Sequence, residues 1–182
     1  RSKRWERVLR DGYANLCRVF AQSEGDASRF CRMGVPTDLV SVHPNLKWDR
    51  EPASCDDVEA LRFALRLDTA RPVVLFASTA PEEHHLFAKS IPPSWQAVIA
   101  PRRPEWFADA LEAFPNARLR TDPKATGDTV VLNSLGELDA VFPLADVVVM
   151  GRSFGLRHGS DPMGPAASGT PTVIGPHFGD FV

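Results

Sequence analysis

Between residues 71 and 175, short apolar runs rich in β-branched residues alternate with segments of helical periodicity, and this alternation constrains the chain more than any other feature. The runs at 72–77 and 146–150 are continuous rather than alternating, as expected of buried strands, and those at 95–100, 117–120, 129–132 and 172–174 read as further short strands. The segments between them read as helices with recognisable ends. Ser54 with Asp57 precedes DDVEALRFALRL, Thr79 with Glu82 opens PEEHHLFAKSI, and Pro104 begins PEWFADALEAF. Ser134 and Glu137 form a capping box for a helix starting near Leu135. Asp161 and Pro162 supply an N-cap and a first-turn proline, and Gly169 stops the helix that follows. Only the link at 122–128 shows no helical pattern. Strands alternating with helices imply an α/β fold, a Rossmann-like, doubly wound parallel sheet with its sites at the carboxyl ends of the strands.

The stretch ahead of this region is organised differently. Trp5, Val8, Leu9 and Tyr13 give residues 2–15 one apolar helical face, whose basic neighbours either touch an anionic membrane or form a solvated surface. A strand at 16–21, a helix at 24–33 capped by Ser23 through Asp26, and a strand at 38–42 follow. The polar NLKWDREPAS then reads as a linker, dividing the chain into 1–49 and 50–182. A chain of 182 residues, 43% hydrophobic and 24% charged, has room for one or two domains whose core needs no covalent staple. The net charge of −2, with no basic stripe interleaved with aromatics, argues against a nucleic-acid partner. Cys17, Cys31 and Cys55 lack metal or disulfide spacing and read as reduced cytosolic thiols. No apolar run approaches the length of a membrane span, and no signal peptide is visible. A start without methionine and an end directly after a strand lead us to expect a fragment of a longer protein.

Candidate chemistry is concentrated in the loops after the strands. Ser78 and Thr79 follow the first, Arg102 and Arg103 the second, the turn Gly136, Glu137, Leu138 a later one, and Ser153 with Asp161 the next. Helix N-termini there can hold a phosphate, because free amides and the helix dipole converge on it; the alternative is well-capped helices with no ligand. Arg102 and Arg103 can fork onto a phosphate or carboxylate, or be neutralised by Glu105 and Glu112. His84 and His85 are adjacent on a helix, point apart and make no metal pair. His158 and Asp161 lack a third ligand, and no nucleophile set is recognisable.

Five segments, NLKWD, ASTAPEE, PRRPEWF, LGELDAVFPLADVVVMGRSF and DPMGPAASGTPTVIGPHF, occur in the order and near the spacing found in the 3-deoxy-D-manno-octulosonic acid (Kdo) transferases, and the chain resembles that family over almost its whole length. The resemblance implies a GT-B glycosyltransferase that moves Kdo or a related sugar from a CMP-sugar donor to a lipid A precursor, in lipopolysaccharide biosynthesis at the cytoplasmic face of the bacterial inner membrane. Residues 1–49 would be the end of an N-terminal acceptor domain and 50–182 most of the nucleotide-sugar-binding domain. The membrane contact and the catalytic carboxylate would belong to the missing N-terminal part, so this chain holds no catalytic residue. No metal or cofactor is implied beyond the donor itself. Arg102 matches the arginine of a Pro-Arg-His-Pro-Glu-Arg-Phe segment, Gly136 to Leu138 a Gly-Glu-Leu turn, and Ser153 the serine of a Gly-Gly-Ser loop.

The departures bear on the same site. Ala80 replaces a histidine, the glycine before the paired glutamates is absent, and Arg103 replaces the histidine of the arginine segment. The family's His-Asn-Pro-x-Glu-Pro becomes Ser160 to Pro165, with Gly164 at the glutamate that would hold the ribose hydroxyls and Asp161 adding a negative charge near the phosphate. These changes imply weakened CMP binding that Gly164→Glu with Asp161→Asn would restore. Alternatively, the chain is a non-catalytic relative that keeps the fold as a binding or scaffold module.

Overall fold

The computed structural model describes residues 10–43, 58–155 and 159–178. The chain divides into two compact units, Arg1–Asp49 and Arg50–Val182. In the first, strands β1 (Val19–Ala21) and β2 (Val40–Val42) pair in parallel, Val19 opposite Val40, with helix α1 (Glu24–Arg32) between them in sequence. Ser23 Oγ accepts from the Asp26 amide at 3.1 Å, the expected cap. The strand expected at 38–42 begins only at Val40, because Thr37–Leu39 forms a 3-10 turn. Residues 10–13 are helical and 14–15 form a turn, so the expected helix ends two residues early; its residues 2–9, the NLKWD linker and the Ser54 cap lie outside the described residues.

The second unit is built on six parallel strands: β3 (Val73–Thr79), β4 (Gln96–Pro101), β5 (Ala117–Leu119), β6 (Thr129–Val131), β7 (Val147–Met150) and β8 (Thr172–Ile174). Their order across the sheet is β5-β6-β4-β3-β7-β8. Helix α2 (Val58–Ala64) and the short α5 (Leu138–Val141) cover one face, while α3 (Pro81–Ser90) and α4 (Phe107–Ala113) cover the other. A strand between two helical layers must be apolar on both sides, which is why β3 reads without alternation: Val73, Leu75 and Ala77 enter one core, Val74 and Phe76 the other. Each such side chain contributes about 1.5–3 kcal/mol by leaving water. A last short helix, α6 (Met163–Ala167), leads into β8.

Four helix starts differ from expectation, and the helix expected from Pro104 opens with a 3-10 turn, Pro104–Trp106, before α4 begins at Phe107. Helix α3 is capped at Ala80, not Thr79: Glu83, rather than Glu82, accepts from the cap amide at 3.3 Å, and the Thr79 hydroxyl pairs with His84 Nε2 at 2.9 Å. Ser134 does meet Glu137, but its hydroxyl donates to that carboxylate across a turn, and the helix begins three residues late at Leu138. Pro162 is itself the N-cap of α6, with Asp161 Oδ1 accepting from the Met163 amide at 3.0 Å.

Candidate functional site

Strand order brings the loops after β3, β4 and β7 together. The chain leaves β3 for β4 on one side and later returns to β7 on the other, so the carboxyl end of β3 is where the order of connection reverses and a crevice opens. The loops are in close contact there. A Cβ on Gly151 would lie 2.5 Å from Thr79 Cα, so only glycine fits, and the Arg102 amide donates to Thr79 O at 3.0 Å. Ser78, at a bulge in β3, and Arg152, after β7, both have left-handed backbones, with φ of 57° and 63°.

Glu83 holds this arrangement. Its carboxylate is 1% exposed and accepts from the amides of Arg152 at 2.6 Å and Phe154 at 2.9 Å as well as from Ala80. One buried anion thus ties the first turn of α3 to the loop after β7, and three amides replace the water it loses. Beside it, burial pushes the His84 imidazole below its usual pKa, against the pull of Asp109 and Glu82 and with a small further push from His85. His85 is exposed while His84 is buried, so the two point apart as expected.

Over the loops after β4 and β7 lies a pocket of about 340 Å³ lined by Arg102, Arg103, Trp106 and Arg152. The Arg103 guanidinium carbon sits 5.3 Å from the centre of the Trp106 ring. Among the described residues no carboxylate pairs with any of the three arginines, Glu105 and Glu112 included. A hollow lined by arginines without a carboxylate partner among the described residues is suited by charge to an anion.

The sequence candidates separate at this point. Arg102 and Arg103 line the pocket. Ser78 and Thr79 lie at the end of the strand between β4 and β7, with the Thr79 side chain buried and turned to His84. The turn Gly136, Glu137, Leu138 follows β6 at the same edge but is not part of the pocket lining; Glu137 instead meets Ser134 and Arg120 Nε, the latter at 3.7 Å. Ser153 is fully buried: its hydroxyl donates to Met150 O at 2.6 Å and accepts from the Gly175 amide at 2.8 Å, so it braces the loop. Asp161 serves the first turn of α6 and is likewise outside the pocket lining. Arg152, Trp106 and Glu83 were not singled out from the sequence. The available signal was Arg152 itself, an arginine at the second glycine of the Gly-Gly-Ser pattern.

Comparisons with known proteins point to one group of enzymes. A 3-deoxy-D-manno-octulosonic acid transferase of Bordetella pertussis is 29% identical over 96% of this chain, and its counterpart in Haemophilus influenzae 27% identical over 95%. Related transferases of Rickettsia bellii and Chlamydia muridarum also match. The chain is a homologue of the Kdo transferases. It spans 44% of the length of the first two of these relatives. No protein-family profile matches it. Among solved structures, the C-terminal CMP-Kdo binding domain of WaaA from Acinetobacter baumannii superposes with a TM-score of 0.57 at 24% identity, over 69% of this chain and 72% of that one. Anabaena Alr3699/HepE in complex with UDP-glucose superposes at 0.51, with 17% identity over 97% of this chain and 50% of its own. The fold class is therefore α/β of the GT-B type, as expected.

Within this Kdo transferase homologue one expectation is overturned. Gly164 cannot simply be returned to the family glutamate. It is buried, and a Cβ there would lie 2.5 Å from Phe142 Cε2 and 3.2 Å from Cζ, on a ring only 3% exposed. Gly164→Glu would collide with the core under α6 before any carboxylate reached a ligand. Among the described residues there is no cluster of three or more metal-ligating side chains, and no helix is long and apolar enough to cross a membrane.

Proposed function

We propose that this chain is the donor-binding portion of a glycosyltransferase that takes Kdo or a related sugar from a CMP-sugar and transfers it to a lipid A precursor. The observation that carries this reading is the arginine-lined pocket at the carboxyl end of a doubly wound sheet, in a chain homologous to Kdo transferases. Arg102 and Arg103 approach the donor phosphate from the loop after β4, and their charge stabilises the CMP leaving group as the glycosidic bond breaks. The residues here supply binding and charge; the proton acceptor for the attacking hydroxyl belongs to the remainder of the enzyme. Residues 1–49 are the end of the acceptor-side domain, and the membrane contact, at the cytoplasmic face of the inner membrane, is made by that domain.

CMP is the test ligand. Titration calorimetry is expected to show binding to the chain. Arg102→Ala weakens it roughly tenfold or more, since a charged hydrogen bond contributes about 1.5–3 kcal/mol. Its urea midpoint stays unchanged, because the Arg102 side chain has no partner among the described residues. No heat with CMP at millimolar concentration, and no rise in melting temperature, would sink the donor-site reading in favour of a non-catalytic module.

A further inference from the structure

Arg152 stands where its backbone would suit glycine. At φ 63° any residue with a Cβ is disfavoured, yet the conformation is held on both sides. Glu83 accepts from its amide at 2.6 Å and from that of Phe154 at 2.9 Å; its own carbonyl accepts from the Gly159 amide at 2.9 Å. Gly151, just before it, is pressed against Thr79. The backbone is therefore clamped where Arg152 lines the pocket together with Arg102 and Arg103, arriving from the other side of β3. A third cation beside two others opposes folding, and no carboxylate among the described residues relieves it. An anionic ligand in this hollow would meet all three.

A phosphodiester carries one negative charge, which one or two guanidinium forks can satisfy. A sugar acid linked to a nucleoside monophosphate carries a second, on its carboxylate. We propose that Arg152 is a specificity-determining residue that holds this second negative charge, and that Glu83 is the positioning residue that keeps it in place. The proposal rests on the donor-site reading above and assigns one part of that site.

The experiment compares the affinities of CMP, CDP and CMP-Kdo by calorimetry for the chain and its variants. Arg152→Gly suits the backbone, so its melting temperature is expected to equal or exceed the original. Its preference for CMP-Kdo over CMP is expected to fall about tenfold or more, and Arg152→Lys to recover part of it. Glu83→Gln is expected to lower the same ratio, and Glu83→Gln with Arg152→Gly to lower it no further than Arg152→Gly alone. An unchanged ratio in Arg152→Gly overturns the proposal while CMP binding keeps the donor-site reading intact. A fall confined to the preference for CDP overturns it too, assigning Arg152 to a second phosphate. Independent, additive losses overturn the role given to Glu83. Absence of binding by all three compounds in the original chain overturns both readings.

Discussion

The arginines ahead of the sheet and those at its carboxyl edge are the same residue type in opposite circumstances. Ahead of the strands, each is bound to the backbone. Arg118 is 3% exposed; its Nε donates to Gly127 O at 3.0 Å and its Nη2 to Leu65 O, and burial, with Arg66 and Arg120 nearby, draws its pKa below the usual value. Arg66 donates to the carbonyls of Asp122 at 2.8 Å and Pro123 at 3.1 Å, and Arg71 to that of Trp95 at 2.8 Å while pairing with Asp128 at 2.9 Å. At the carboxyl edge Arg102, Arg103 and Arg152 line a hollow with no carboxylate partner among the described residues. The difference teaches where to look for function in a parallel sheet. Carbonyl-bound arginines join loops to the fold, whereas those at the strand ends without a carboxylate partner among the described residues are the candidates for meeting an anion.

That contrast can be broken at three points, beginning with the largest effect. Arg118→Met should cost on the order of 3 kcal/mol, because buried carbonyls lose charged donors. The urea midpoint measures it, and CMP affinity should stay within twofold of the original. A stable Arg118→Met that no longer binds CMP would erase the distinction between the two ends of the sheet.

Ser153 tests the carboxyl edge from within, since it carries a family motif but is spent on structure. Ser153→Ala leaves Met150 O and the Gly175 amide without their partner, at roughly 1–2 kcal/mol, read from the same midpoint. A loss of CMP binding with no loss of stability would return Ser153 to the ligand.

The smallest effect is that of pH. Because the folded-state pKa of His84 lies below the unfolded value of about 6.5, the unfolded chain takes the proton first. Stability is therefore present above that pH and declines as pH falls through it. Urea midpoints at about pH 7.5 and 5.5 should show the decline, and His84→Gln, which does not titrate, should reduce it. Equal declines in both proteins would remove His84 from the account.

The order of strands and helices was legible because a strand covered on both faces must be apolar throughout and a helix on one face only, so each leaves its period in the residues. Gly169 and Ser23 marked helix ends by local chemistry alone. The cap of α3 depended on contacts invisible along the chain. Thr79 offered a cap hydroxyl, yet a buried imidazole five residues on claimed it, and Glu83 outcompeted Glu82 because the loop after β7 brings two further amides to its carboxylate. Arg102 was found because it follows a strand. Arg152 was not, because nothing local explains an arginine in a left-handed backbone; its place is held by a glutamate 69 positions away. Gly164 looked like a lost anchor until the ring of Phe142 was seen filling the space where its side chain would be. The sequence by itself determined the periodicity, the fold class and the edge of the sheet where chemistry gathers, since these follow from apolar patterning and chain direction. Tertiary structure alone decided which arginines are free and which hydroxyls are spent, because hydrogen-bond partners are assigned by proximity in space, and the sheet order sets β7 beside β3 across more than seventy intervening positions.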